Sequence, residues 1–219
     1  MKVDDFIARF RAAVADEVHG QFWSAEEIVS YLNEAVQEAC ERAHLIEDRS
    51  MPLDLVPGQD TYNLHPSVFE VKRLAIRGRP LSETSVEELD CNAPGWELRS
   101  GAPRCFIFEQ ASGSLPPKVR LVPTPLASES ALLTVYRGAL KKLSVDIGQE
   151  KPEIPERFHE RLMDWVMHRA HLKQDADAFD PAKAATSLAL FVQAFGERPD
   201  ANVQRKQRDK RPPVVRMIF

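Results

Sequence analysis

The chain has 219 residues, 43 % of them hydrophobic and 28 % charged, with a formal net charge of −4. That balance excludes an intrinsically disordered chain and allows one larger domain, or two small ones, with a real core. No apolar run reaches the ~20 residues of a membrane span, and the start Met1-Lys2-Val3-Asp4-Asp5 lacks the apolar stretch of a secretory signal.

Phe6, Ile7, Phe10, Ala13 and Val14 fall at helical spacing and predict an amphipathic helix over 3–17, stopped near Gly20. Ser24-Ala25-Glu26-Glu27 is a capping box. It opens a second helix, to about Ile46, with Ile28, Leu32, Ala35 and Ala39 on one stripe. From Pro52 the pattern changes to strands. Leu53 to Leu64 reads as two strands about the Pro57-Gly58 turn. Val68 to Ile76, with Val71, Arg73 and Ala75 alternating, is a strand ended at Gly78, and Ser85 to Cys91 is a short helical turn. Three more strands are expected at 105–108, 119–122 and 132–136. The absence of helix-strand alternation argues against a parallel dinucleotide-binding sheet and for a small antiparallel sandwich or open barrel. Helical spacing returns at Pro155, with Phe158, Leu162, Trp165, Val166 and Leu172, and ends near Asp177. Asp180-Pro181 then caps a last helix carrying Leu188, Phe191, Val192 and Phe195 and stopped by Gly196.

The expected fold class is α+β. Helices from both chain ends (1–50 and 152–196) form an antiparallel-type four-helix bundle, a small antiparallel β-sandwich or barrel (51–151) is inserted between them, and 197–219 forms an extended C-terminal arm.

Motifs for chemistry are missing. His159-Glu160 would need a second histidine at position 163, where Met163 stands. His168 and His171 share a helix face but have no third ligand nearby, so they read as a surface pair. Glycine-rich phosphate loops are absent, and Ala111-Ser112-Gly113-Ser114 is a turn rather than a nucleophile elbow. The carboxylate pairs Glu26-Glu27 and Glu87-Glu88 suit helix starts, where the dipole favours negative charge. Phe22, Trp23, Trp96 and Trp165 read as packing or interface anchors. Cys40, Cys91 and Cys105 are odd in number and widely spaced, which indicates reduced thiols of a cytoplasmic protein. No cofactor and no metal are expected, and the chain reads as an assembly subunit rather than an enzyme.

Charge is uneven. Seven basic and three acidic residues give 197–219 a net +4, which leaves −8 for 1–196. The basic run Arg205, Lys206, Arg208, Lys210 and Arg211 leads into Pro212-Pro213, then Val214, Val215, Met217, Ile218 and Phe219. Proline keeps such a segment extended, and an apolar terminus calls for a docking site. These twelve residues are the candidate binding arm. A basic arm also allows a second reading, a nucleic-acid-binding protein that grips phosphates.

With its segments placed, the chain resembles the phage head-to-tail adaptor family, the portal-bound ring proteins that include the tail tubular protein A (gatekeeper) group. The resemblance covers most of residues 22–195. Trp23-Ser24 and Leu32-Asn33-Glu34-Ala35 are similar to the family's early helix, and Pro57-Gly58-Gln59-Asp60-Thr61-Tyr62-Asn63-Leu64 to its first β turn. Gly101-Ala102-Pro103-Arg104-Cys105-Phe106 resembles a turn leading into a strand. Leu121-Val122-Pro123-Thr124-Pro125 with Leu133-Thr134-Val135-Tyr136 resembles the paired late strands. Ile154-Pro155-Glu156-Arg157-Phe158-His159 is similar to the opening of the third helix. The resemblance implies a ring of twelve copies beneath the portal protein, passively enclosing viral DNA, with tail nozzle or tube proteins below and no membrane contact. It also implies that the arm reaches the portal or a neighbouring copy, in a virion assembled in the bacterial cytoplasm.

Overall fold

The computed structural model describes residues 1–15, 22–175 and 178–198. Two compact units form. One comprises Met1–Glu47 with Tyr136–Arg198, the other Asp48–Val135.

In the helical unit, α1 (Val3–Ala13) buries Val3, Phe6 and Phe10. Its first free N–H groups are engaged by carbonyls of the irregular 148–150 segment: Val3 N donates to Glu150 O and Asp4 N to Gly148 O, both at 3.0 Å. The helix ends four residues before the expected 17, with Ala15 at φ +54°; residues 16–21 lie outside the described residues. α2 (Ala25–Ala43) opens on the expected capping box, in which Glu27 N donates to Ser24 Oγ at 3.1 Å and Ser24 N to Glu27 Oε2 at 2.9 Å. Lys173 Nζ donates to Glu27 at 2.8 Å and to the Phe22 carbonyl at 2.6 Å. The Lys173 hydrogen bond, with that from the Ser24 amide, holds the Glu27 carboxyl below its ordinary range. Ile28, Leu32, Ala35 and Ala39 are all buried, and His44 in the left-handed conformation ends the helix. α4 (His159–His171) and α5 (Pro181–Phe195) pack on each other, and Trp23 donates its indole N–H to Ala170 O at 3.3 Å.

The α+β class stands, but the four-helix bundle does not. The described residues form five α-helices, one of them inside the β unit, and two sheets of four strands each. Within the helical unit α2 and α4 are central, with α5 attached mainly to α4 and α1 attached to both. The physical reason is that non-helical chain takes part of the core. Leu143 and Ile154, from the segment ahead of α4, are buried, and α1 also packs against the 3-10 turn Val145–Ile147. Periodicity marked the apolar faces correctly and mistook what covers them.

Asn33 is a polar tie from α2 to that segment. Its Nδ2 donates to Leu143 O at 3.0 Å and its Oδ1 accepts from Leu143 N at 2.8 Å, so one amide satisfies both backbone groups of a buried residue. Asn33→Ala is expected to cost about 2 kcal/mol, because it leaves a buried donor and acceptor unpaired. Urea unfolding followed by circular dichroism checks this, and a change below about 0.5 kcal/mol, the range of ordinary surface substitutions, would contradict it.

The β unit is built on sheets of order β1-β8-β3-β4 and β2-β7-β6-β5, with β1 (Ile46–Leu55), β2 (Thr61–Asn63), β3 (Val68–Ile76), β4 (Arg79–Pro80), β5 (Ser82–Glu83), β6 (Cys105–Glu109), β7 (Lys118–Val122) and β8 (Glu129–Arg137). The chain passes between the units inside β1 and again inside β8. Leu55, Val71, Leu74, Leu133 and Val135 from the first sheet share one core with Tyr62, Phe106, Phe108, Val119 and Leu121 from the second. The second sheet is mixed rather than wholly antiparallel, because β5 runs parallel to β6. Its other face is covered by α3 (Val86–Asn92) and the 3-10 turn Trp96–Leu98, which form a satellite core of Trp96, Ile107 and Val122 with Leu89, Ala93 and Cys105.

Candidate interaction surfaces

All twelve arm residues proposed as a binding site, Arg205 to Phe219, lie outside the described residues, but the root of the arm is defined. Arg42 holds it. The Arg42 side chain, 7 % exposed, pairs with Glu38 at 3.0 Å. It stacks against Trp165 and Phe191, 5.4 and 5.1 Å from the ring centres, and donates to Gly196 O at 3.3 Å. Arg198 then spans Glu38 at 3.6 Å and Glu41 at 3.3 Å. The described chain therefore ends along the acidic face of α2. A groove of about 650 Å³ runs there between α2 and the 139–143 segment, lined by Glu34, Glu38, Glu41, Lys141, Lys142 and Arg169 among others. Its charges are mixed, and its carboxylates are engaged: Glu34 by Arg169 at 2.8 Å, Glu38 by Arg42 and Arg198, and Glu41 by Arg198.

In the β unit the Pro57-Gly58 turn is pinned from both sides. Tyr62 Oη accepts from Val56 N at 3.0 Å and donates to Gln59 O at 2.8 Å. Gly58, at φ +81°, donates its N–H to Pro125 O at 2.8 Å; only glycine takes that conformation without strain. Arg120 closes the base of the turn with an ion pair to Asp60 at 2.8 Å and a second to Glu97 at 3.1 Å, its guanidinium 4.6 Å from the Trp96 ring centre. The stretch 57–64 that carried the family resemblance is thus a structural clamp. Thr124 N donates to Arg99 O at 3.0 Å and Gly101 N to Thr124 O at 2.9 Å, so three loops are joined. From them Val56, Leu98 and Leu126 stand 49 %, 91 % and 66 % exposed. Beside Leu98 a second groove, about 530 Å³, opens over the satellite core.

The histidines are placed differently from the expectation. His168 and His171 are not a surface pair. His171 is buried, and His168 Nδ1 donates to Ala184 O at 2.9 Å, fastening α4 to α5. His159 is also buried, hydrogen-bonded through Nε2 to Ile154 O and through Nδ1 to the Met1 amino group, each at 2.9 Å. No group of three or more His, Cys, Asp or Glu among the described residues is placed to hold a metal ion, and none of their helices is long and apolar enough to cross a membrane.

All three cysteines are free thiols. Burial pushes Cys40 up to about 12 and raises Cys105 more modestly, whereas Cys91 is exposed. Alkylation of the native protein at pH 8 is expected to modify Cys91 first, Cys105 slowly, and Cys40 only on unfolding, since the thiolate is the reactive form. Peptide mass mapping over time reads the order, and early labelling of Cys40 would overturn it.

Neither groove has a catalytic arrangement of nucleophile, base and orienting group. What the described surfaces offer is attachment: the charged face of α2 where the described chain ends, and an apolar loop cluster on the β unit. Residues 1–217 match the family model described as SU10 adaptor protein. No curated protein matches the chain.

Proposed function

The chain belongs to the SU10 adaptor protein family, a phage head-to-tail adaptor family, and we propose that it forms a ring beneath the portal that extends the DNA channel and carries the tail. As a phage adaptor it is a structural component of the virion, associated with portal and tail proteins. The single observation that supports this reading is a family match over residues 1–217, nearly the whole chain.

In this proposal twelve copies assemble on the portal in the host cytoplasm. The arm, Arg205 to Phe219, engages the portal or a neighbouring copy, and the β unit receives the tail nozzle or tube. The −8 charge of residues 1–196 suits a channel along which DNA slides without adhering. The work is binding, without a chemical step.

The test is oligomeric state. Light scattering of the purified protein should give a monomer or a mixture, and addition of the cognate portal should convert it to a ring-sized complex. A tight dimer that ignores the portal would overturn the proposal.

A further inference from the structure

The groove over the satellite core has a chemistry that the adaptor role does not by itself require. Its floor is apolar: Trp96 and Val122 are buried and Leu89, Ala93 and Cys105 are partly so. Its wall is the small-residue stretch Ser100-Gly101-Ala102. Among the described residues the only charged ones lining it are Arg99 and Arg104, and no carboxylate joins them. Arg99 Nη2 donates to Pro94 O at 3.0 Å, which leaves most of its five donors free. The Arg104 guanidinium has no hydrogen-bond or ion partner among the described residues. Nearby carboxylates are turned to other tasks: Asp90 accepts from the Trp96 indole at 2.8 Å, Glu88 from Thr84 at 2.7 Å, and Glu97 from Arg120 at 3.1 Å. The lining thus carries two positive charges on a body of net charge −8.

We propose that this groove docks an extended peptide segment of a protein partner, taking one large apolar side chain on the Trp96–Val122 floor and an adjacent carboxylate on Arg99 and Arg104. The volume, about 530 Å³, lies in the range of pockets that hold small ligands. Arginine at an apolar rim suits a carboxylate because its fork of N–H donors pairs with both oxygens. Leu98 and Leu126, exposed on loops joined to this wall, extend the apolar surface along the path of such a segment. Single-stranded nucleic acid fits less well. It needs an aromatic face for base stacking, and Trp96 is 3 % exposed with Arg120 over its ring. The segment is assigned to a tail protein, the partner that the β unit receives in the proposed function; that assignment rests on the adaptor reading, and the chemistry of the groove stands apart from it.

Titration of the ¹⁵N-labelled full chain with blocked tetrapeptides tests this. The reporter is the Trp96 indole N–H, assigned by its loss in Trp96→Phe. Acetyl-Gly-Phe-Asp-Gly-amide should shift it saturably. Acetyl-Gly-Phe-Lys-Gly-amide and acetyl-Gly-Ser-Asp-Gly-amide should bind about tenfold more weakly, since each lacks one of the two contacts. Arg104→Glu, at a side chain with no partner to lose, should weaken the first peptide by about tenfold as well. In a Cys91→Ser background the same peptide should slow alkylation of Cys105. No saturable shift, equal binding of all three peptides, or a stronger response to an oligothymidylate would each overturn the proposal. Ring formation on the portal is a separate measurement, so failure of the adaptor reading would be told apart from failure of the groove.

Discussion

Phe191→Ala is expected to lower the stability of the helical unit by about 3–5 kcal/mol, the usual range for removing a fully buried phenylalanine. Phe191 is completely buried on α5, with ring centres 5.0 Å from Trp165 and 4.7 Å from Phe195. Beyond the lost apolar area, the substitution uncovers Arg42. That guanidinium is held against the Trp165 and Phe191 rings and pairs with Glu38. With Phe191 gone, one wall of its site is removed and its hold on Gly196 O loosens. Such a loss is a large fraction of the 5–15 kcal/mol typical of a domain. The β unit has its own core, built among the described residues from 55–135. Urea unfolding should therefore show the far-ultraviolet helix signal lost at much lower denaturant. Indole proton signals should show Trp165 and Trp23 losing native dispersion while Trp96 keeps it. A shift below about 1 kcal/mol, or simultaneous loss of all three, would contradict this account.

Much of the frame was legible because local chemistry matched the final structure. The Ser24 box, the Asp180-Pro181 start and the Pro57-Gly58 turn each act within a few residues, and each stands where the spacing put it. The beginning of β1 was not legible. Residues 46–52, Ile-Glu-Asp-Arg-Ser-Met-Pro, have no alternation, and β1 is a sheet edge, where half-exposed residues and a proline are tolerated. The two-residue strands β4 and β5 fell below any periodic signal. Helical patterns revealed which faces are apolar but not their partners, so α1 was assigned to a bundle when it packs partly on the 145–147 turn. His168 and His171 looked like surface residues because polarity says nothing about a carbonyl waiting on the next helix. The groove at Trp96, Arg99 and Arg104 combines α3, two loops and two strands; its traces in the sequence are Trp96, which reads as a packing or interface anchor, and the stretch 101–106, which reads as a turn leading into a strand.

Removal of residues 212–219 is expected to leave a folded, soluble protein that no longer joins portal-bearing heads. Every buried residue of the described cores lies between Val3 and Phe195, so melting should be nearly unchanged. The lost contacts would be those of Val214, Val215, Met217, Ile218 and Phe219, each large side chain contributing roughly 1.5–3 kcal/mol when fully buried. Even two such anchors would change an equilibrium by orders of magnitude. In the docking-arm proposal the prolines ahead of them would matter differently, by reducing the order the segment must gain on docking. The basic run should act mainly through encounter rate. Replacing Arg205, Lys206, Arg208, Lys210 and Arg211 by glutamine is expected to slow attachment and flatten its salt dependence while leaving the docked complex formed. That contrast also separates the adaptor from a phosphate-gripping arm, for which the basic residues would dominate affinity and the apolar end would be dispensable. The measurements are thermal melting, the yield of infectious particles, and attachment to purified heads across a salt series. Normal particle yield from the truncated protein would sink the docking arm. Full loss from the glutamine variant, with the truncation silent, would favour the nucleic-acid reading instead.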